Sequence, residues 1–591
     1  MRIHTIRYIS FIKKTVVFIT LIIMISGVFA QPQTESLDRG LVAVRTDSQK
    51  IYLGWRLLAT DPKNIAFNVY RSGSGYLPIK LNEQPITQST NFVDTQVSLD
   101  LGNSWFVKSV LDRTEIASSE NVVLPPNPPL QPFKSIKLIG DYGANKLGIA
   151  DLNGDGTYDY IIKQPAFSID PGRQRPSPGT YKIEAYNGKT GEFMWQVDLG
   201  WNINMGIWFS PVIVYDLDSD GKAEIACKTA PYAKTPEEAF ISPGGFVLEG
   251  PEYCSLLDGA TGKDIDKVNW VERGNPADWG DDRGNRVNRN QLGVAYLDGK
   301  NPSLLVLRGT YTKMRIDAYN LIEKKLKQIW SWSGEDENPP LRGQGGHSLH
   351  VFDIDNDRCD EIIIGSAVID NNGTCLWRMN MGHPDWCYLA DIDPSRPGLE
   401  MAYGFETRQS SNGICLVDPR NGKILWGCDF PTTHIHDWGM VADINHAYPG
   451  MEIYGMERDG VTCWLFSAAG QLLAQNRDLG RHGPRAFYWL DSTVKVRVPF
   501  SYRSGTFPIL KYENEQIGEI IGQPIAIADC LGDWREEVIT VQDGYIRIYT
   551  TPIPSNHRNI CLMQDPLYRM DVAVQMMGYF YPPQISYTIS F

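Results

Sequence analysis

Apolar and polar residues alternate along this chain in short runs bounded by Gly, Asn, Asp and Pro, and helical periodicity is scarce. That pattern predicts strands nearly throughout. Residues 33–124 hold five such runs, "GLVAVRT", "IYLGWRLL", "AFNVYRS", "SWFVKSVL" and "ASSENVVL", which predict one small β-sandwich. The proline run "LPPNPPLQP" follows; it cannot continue a sheet and reads as a stiff linker over 125–132.

Beyond 133 the pattern repeats. An acidic loop runs into an apolar strand in "DLNGDGTYDYIIK" at 151, "DLDSDGKAEIACK" at 216 and "DIDNDRCDEIIIG" at 353, with degenerate copies at 297, 391, 443 and 529. Most copies are followed by a hairpin with Asn, Asp or Gly at the turn and often Trp on the return strand, as in "AYNGKTGEFMW" and "LVDPRNGKILW". Four strands per unit at this spacing fit propeller blades carrying loop insertions. Seven acidic units are visible, and the stretch around Asp491, in the oversized gap between 443 and 529, reads as an eighth. The expected fold class is all-β, an eight-bladed β-propeller over 133–591 with an N-terminal small β-sandwich domain; seven blades is the near alternative.

Composition changes this picture in two ways. Residues 1–30 begin with Arg2, Arg7, Lys13 and Lys14, continue through "TVVFITLIIMISGVF" and end at Ala30, the layout of a secretory signal peptide. A secreted, periplasmic or cell-surface monomer is expected, with no integral membrane segment after cleavage, and Gln31 argues against a lipoprotein cysteine. Four of the 56 basic residues lie in that segment, so 52 Lys+Arg face 69 Asp+Glu in the remainder, a net charge near −17. Such a surface repels polyanions, so an acidic glycan or a nucleic acid would need local basic groups or bound cations; no nucleic-acid partner is expected. The ten cysteines are too sparse for a disulfide framework and form no CxxC; Cys415 and Cys428 flank a hairpin closely enough for a cross-strand disulfide.

Cations are written into the repeat. In "DLNGDGTYD" Asp151, Asn153, Asp155 and Asp159, with the carbonyl of Thr157, fall at ligand positions of a calcium loop, and Gly156 permits its turn. The same register gives Asp216, Asp218, Asp220 and Glu224, and then Asp353, Asp355, Asp357 and Glu361. Three carboxylates on one turn repel each other unless a hard cation lies between them, so Ca2+ at several sites is the expected cofactor, in a structural role.

A second constellation points to chemistry. "GQGGHSLHVFDID" places His347 before one inner strand, "MGHPDWCYLADID" places His383 and Asp385 at the equivalent point of the next unit, and "AYGFE" puts Glu406 after the following strand. Equivalent points of adjacent blades converge at one end of a propeller's channel, so these four form a mixed N/O metal site or an acid/base cluster. "THIHDWG" adds His434 and His436, but as residues of a loop before a strand they are not expected to share a face, and the metal ligands are placed elsewhere.

The stretches "GGHSLHVFDIDNDRCDEIIIGSAVIDNNGT", "GHPDWCYLADIDPSRPGLE" and "ADCLGDWREEVITVQDGYIRIYTTPIPSNHRNICLMQDPLYRMDVAVQMMGYFYPPQ" resemble rhamnogalacturonan lyases of polysaccharide lyase family 11, and "LGWRLLATDPKNIAFNVYR" is similar to their small β domain. The resemblance implies an eight-bladed propeller with bound calcium. It also implies a cleft for rhamnogalacturonan I, an acidic plant cell-wall polysaccharide, where rhamnose–galacturonate links break by β-elimination. It assigns a cleft calcium to the counterparts of His347, His383, Asp385 and Glu406, and a cleft tyrosine to Tyr579.

Several cleft positions depart from the family pattern. Asn145-Lys146 stands for an Asn-Asp pair, "GEII" for an Asn-Gly-Thr-Lys loop, "YWLDS" for a Trp-Asp-Gly-Asp run, and Trp438-Gly439 for Arg-Gly, so a cleft lysine and a cleft arginine are absent. β-Elimination needs a neutraliser for the uronate carboxylate, a base for the C5 proton and a donor for the departing O4. The expected catalytic residues are therefore His436, Tyr579 and Arg485, and the expected substrate contacts Asn145, Lys146, His434, Trp438 and His482. The alternatives are a noncatalytic glycan-binding propeller, a lyase for another uronate polymer, and a hydrolase.

Overall fold

The structure, a computed structural model, describes residues 35–73, 76–173, 175–480, 483–500 and 505–590. The expected signal peptide and His482 lie outside them. Among the described residues no helix is long and apolar enough to cross a membrane.

Eight four-stranded antiparallel sheets account for the chain beyond residue 132. Numbered in chain order, blades 1 to 8 start with the strands Lys146–Ala150, Val212–Tyr215, Asn290–Ala295, Gly345–Phe352, Pro384–Ala390, Met440–Ala442, Pro484–Phe487 and Pro524–Ala528. These first strands are almost wholly buried, whereas the fourth strands, such as Lys423–Gly427 and Phe193–Asp198, are largely open. The first strands of blades 1 to 5 pack side by side in order, as do those of blades 6 and 7, and Lys146–Ala150 also meets Pro524–Ala528, so the sheets form a ring. Blade 8 takes its fourth strand, Phe133–Lys137, from the start of the propeller, which fastens the ring with hydrogen bonds. The stretch around Asp491 does form a blade, with Asp491 on the loop after its first strand, so the count is eight and not seven.

The repeated tryptophan has a structural reason. The indole N–H of Trp195 donates to Gly259 O (2.7 Å), Trp330 to Asn371 O (2.9 Å), Trp377 to Pro419 O (2.8 Å) and Trp426 to Ala468 O (2.7 Å). Each bond joins a fourth strand to the hairpin turn of the next blade. A left-handed glycine of that turn, Gly422 for Trp377 and Gly470 for Trp426, lies where a Cβ would strike the ring.

The N-terminal domain is the expected pair of sheets. Strands Val42–Arg45, Ile51–Gly54 and Asn91–Asp94 face a five-stranded sheet built on Ala66–Gly73 and Asn103–Leu111, around Trp55, Phe67, Val69 and Trp105. It is bound to the propeller by Tyr52 Oη donating to Asp533 (2.9 Å), by Arg56 on Cys530 O and by Asp38 N donating to Gly156 O (2.9 Å). Arg535 pairs with Asp533 (2.7 Å), so the degenerate acidic loop at 529 is neutralised by arginine.

One element departs from the all-strand expectation. The helix Pro566–Val574, capped by Asp565, which accepts from Tyr568 N (3.0 Å), packs against the first strands of blades 1, 2, 3, 4 and 8 and plugs the ring. His350 and Asp571 form a buried pair at 2.9 Å, and Gln575 exchanges two hydrogen bonds with Ile527. Gly578, at φ +49°, brings the chain past His347, where a Cβ would lie 2.9 Å from His347 O.

All ten cysteines are free thiols. The cross-strand bridge that the spacing of Cys415 and Cys428 allows is not formed: Cys415 pairs in register with Gly427, one residue short.

Candidate metal centre and active site

Blades 4 to 6 bring six side chains to one mouth of the ring. His347 lies on the first strand of blade 4, Asp385 on that of blade 5 with His383 immediately before it, and Glu406 directly follows the strand Glu400–Phe405. The strand carrying Asp385 is seated by Trp386, whose indole is clasped by Gly404 and Gly439.

His434 and His436 join this cluster, contrary to the sequence expectation. Ile435 bridges Glu457, its N–H reaches Phe405 O (3.0 Å), and His436 N donates to Met456 O (2.9 Å). The Glu457 carboxylate accepts from Thr433 N (2.8 Å) and His434 N (2.7 Å). These contacts hold the segment extended, so Ile435 points inward and the two imidazoles share the opposite face, 5.2 Å apart.

The donor set fits a cation. His347 Nε2 lies 3.2 Å from His383 Nε2 and 3.3 Å from Asp385 Oδ1, and His383 Nε2 lies 3.2 Å from Glu406 Oε2. His383 Nδ1 is held on Gly345 O, which aims the Nε2 lone pair into the cluster. Burial pushes the His383 pKa down, yet the Asp385 and Glu406 carboxylates overcome it and raise it to about 9. Burial and the facing His383 hold His347 well below the usual imidazole value. Positive charge is thus favoured at a point where four donor side chains converge, and these residues fit a divalent ion, which would supply it in place of a proton.

The repeat loops show the same demand. Glu361 Oε2 accepts from Ile354 N (2.9 Å) while its Oε1 is buried with no hydrogen-bond partner, and burial raises the carboxyl to about 8. In the Asp353 loop the ligand oxygens of Asp353, Asp355 and Asp357 lie within 4.8 Å of one another. In the first loop Asp151 accepts from the backbone N–H of Gly154 (2.8 Å) and Gly156 (2.7 Å), and Asp159 from Leu152 (3.0 Å). The second loop differs: Lys324 Nζ stands 2.5 Å from Asp218, 3.4 Å from Asp220 and 3.6 Å from Glu224, so a lysine of blade 3 contests the cation position.

Chelation is expected to lower the thermal midpoint, each calcium loop contributing about 2.7 kcal/mol when calcium exceeds its Kd a hundredfold. Asp353→Ala should lower the midpoint in calcium and shrink the drop on chelation. A midpoint indifferent to chelator removes the cation from the loops.

Around the cluster stand residues that the sequence pattern did not single out. Tyr311 Oη is 2.9 Å from His347 Nε2, Arg286 lies 3.8 Å over the Tyr311 ring, and Arg289, paired with Asp170 (2.9 Å), lies 5.4 Å from both Tyr311 and Trp208. They come from irregular loops of blade 3 and its approach, where no periodicity marks them; only the paired arginines of "GNRVNR" are a signal. Tyr579 is at the centre, its ring 4.6 Å from His347 and 5.4 Å from Trp208.

Other expected cleft residues are placed differently. Lys146 is 5% exposed and donates to Gln575 O and Met577 O, and burial followed by the nearby Arg485 lowers its pKa to about 7. Arg485 is 1% exposed and stacks 4.9 Å over Phe500. The chain that leaves the plug covers both cations, Lys146 through Gln575 and Met577 and Arg485 through Phe580 and Tyr581, so both are buried. Asn145 caps its strand through its backbone N–H to Lys163 O (2.8 Å). Trp438 is 9% exposed and packs 4.4 Å from His436, backing the imidazole and offering no open face to a sugar.

Family models and known relatives match nearly the whole chain. The family model for the rhamnogalacturonan lyase family 11 C-terminal domain matches residues 138–590, and that for the rhamnogalacturonan I lyase beta-sheet domain matches 32–124. The chain is 37% identical to the rhamnogalacturonan endolyase YesW of Bacillus subtilis (strain 168), covering 94% of this chain and 91% of that one. It is 35% identical to the rhamnogalacturonan exolyase YesX of the same organism, over 94% and 95%. The crystal structure of the exotype lyase YesX superposes with a TM-score of 0.86 at 33% identity, over 95% of this chain and 97% of that one. The chain belongs to rhamnogalacturonan lyase family 11.

Proposed function

We propose that this protein cleaves a rhamnogalacturonan backbone at rhamnose–galacturonate links by β-elimination. The observation that carries the reading is the histidine–carboxylate cluster with two phenols and two guanidiniums at its edge, in a chain of this family. A cation held by His347, His383, Asp385 and Glu406 would neutralise the galacturonate carboxylate and acidify the C5 proton. Arg286, half-buried over Tyr311, adds positive charge for that carboxylate, where the expected cleft lysine and arginine are missing.

The proton steps fall to the two phenols, which burial raises but whose neighbours differ. Burial, Glu406 and Asp385 raise Tyr311 while Arg289 and Arg286 oppose them; a divalent ion at His347 would act with the arginines, so we assign Tyr311 as proton acceptor. Tyr579 is raised by burial and then by Asp385 and Asp437, which keeps it protonated as donor to the departing O4. His436, expected as the base, is held 2.7 Å from Asp385 within the cation cluster.

Incubation with rhamnogalacturonan I should yield the ultraviolet absorbance of an unsaturated uronate. New reducing ends without that absorbance mean hydrolysis, and binding with neither means a noncatalytic propeller; both overturn the proposal. Tyr311→Phe is expected to lower kcat by about 10²–10⁴-fold with KM little changed.

A further inference from the structure

We infer that the mouth of the ring holds a second metal ion, bound by His434, His436 and the outer oxygen of Asp385. The carboxylate of Asp385 divides its oxygens between two pairs of imidazoles. Oδ1 faces His347 Nε2 (3.3 Å) and His383 Nε2 (3.8 Å), while Oδ2 faces His436 Nδ1 (2.7 Å) and His434 Nε2 (3.8 Å). Glu406 is divided in the same way, with Oε2 at His383 Nε2 (3.2 Å) and Oε1 at His434 Nδ1 (3.8 Å). One carboxylate shared between two histidine pairs is the arrangement of a bridged pair of ions.

The second nest is a built site. Asp385, His434 and His436 offer ligand atoms within 4.8 Å of one another, as the first four residues do among themselves. Asp437, 5% exposed, brings a further carboxylate: its Oδ1 is buried without a hydrogen-bond partner and lies 3.4 Å from His436 Nδ1. The segment is fixed on both sides, by Phe405 and by Met456 with Glu457, so the imidazoles are pre-positioned. Two imidazoles and a carboxylate suit a first-row divalent transition ion; calcium prefers an all-oxygen set of six to eight ligands. The repeat loops and this nest thus select different metals.

The test uses full-length mature protein in excess calcium, which keeps the repeat loops filled, with cobalt(II) as the probe. Bound cobalt is measured by equilibrium dialysis and by its visible absorption bands. His434→Ala/His436→Ala is expected to bind one cobalt fewer than the wild type, and His347→Ala/His383→Ala to retain the cobalt held by the outer pair. If removal of the outer pair leaves the cobalt count unchanged, there is no second site. If removal of either pair abolishes all cobalt binding, one shared ion is present; either result overturns the inference. Circular dichroism checks folding, and the Gln variants replace Ala where the Ala protein does not fold. Lyase activity does not enter this test, so an inactive protein with both cobalt sites sinks the proposed function and leaves this inference standing.

Discussion

Asp385→Asn is expected to lower kcat on rhamnogalacturonan by about 10³-fold, the scale seen when a preorganised electrostatic group is removed from a site. Asp385 is 2% exposed and touches all four imidazoles of the mouth. Its carboxyl is held far below the ordinary value: burial opposes ionisation, but His383, His434 and His436 overcome it through hydrogen bonds. The amide keeps the shape and one acceptor but loses the charge that a cation between His347 and His383 requires. Metal content should fall with activity, whereas the thermal midpoint should move little, because Trp386 and the strand pairing to Gly404 remain. Full activity in the Asn protein would place the reaction elsewhere. Unfolding with loss of the midpoint would make the centre structural.

Much of the architecture is legible in the sequence because the repeat is built from local rules. Aspartates at alternate positions, a left-handed glycine and a tryptophan on the return strand each act within one blade or at its neighbour's turn. The plug is not legible for the opposite reason. Residues 567–573 are buried on every side, so no polar face gives the helix a period, and its partners are the first strands of five blades, four of them in the first half of the propeller. The chain leaving the plug, residues 575–581, buries Lys146 and Arg485, which the sequence places in the cleft. His434 and His436 were visible as residues, but their common face depends on the bridge between Ile435 and Glu457, which no local pattern announces.

Glu252→Gln is expected to be the most destabilising isosteric change outside the cleft. Glu252 precedes the strand Tyr253–Asp258 of blade 2, and its side chain is 9% exposed. One carboxylate there meets three buried cations: Lys228 at 2.5 Å, Arg273 at 2.6 Å and Arg308 of blade 3 through its other oxygen. Arg308 is otherwise held by Val271 O (2.9 Å) and Val287 O (2.8 Å), so the network ties blade 2 to blade 3 through a fully buried guanidinium. Burial opposes ionisation of Glu252, but Arg308, Lys228 and Arg273 hold its pKa far below the usual range. Its contribution is therefore fully present above the ordinary glutamate pKa and is lost only as pH falls toward the depressed folded value. Glutamine leaves three buried positive groups with no counter-charge, and removing one partner of a buried pair costs about 3–5 kcal/mol. The thermal midpoint should fall by several degrees at neutral pH, and Glu252→Gln/Lys228→Met should recover part of the loss, since one uncompensated charge goes with the lysine. A neutral-pH midpoint equal to that of the wild type would mean that the three cations do not depend on this carboxylate. No recovery in the double variant would assign the loss to packing and not to charge.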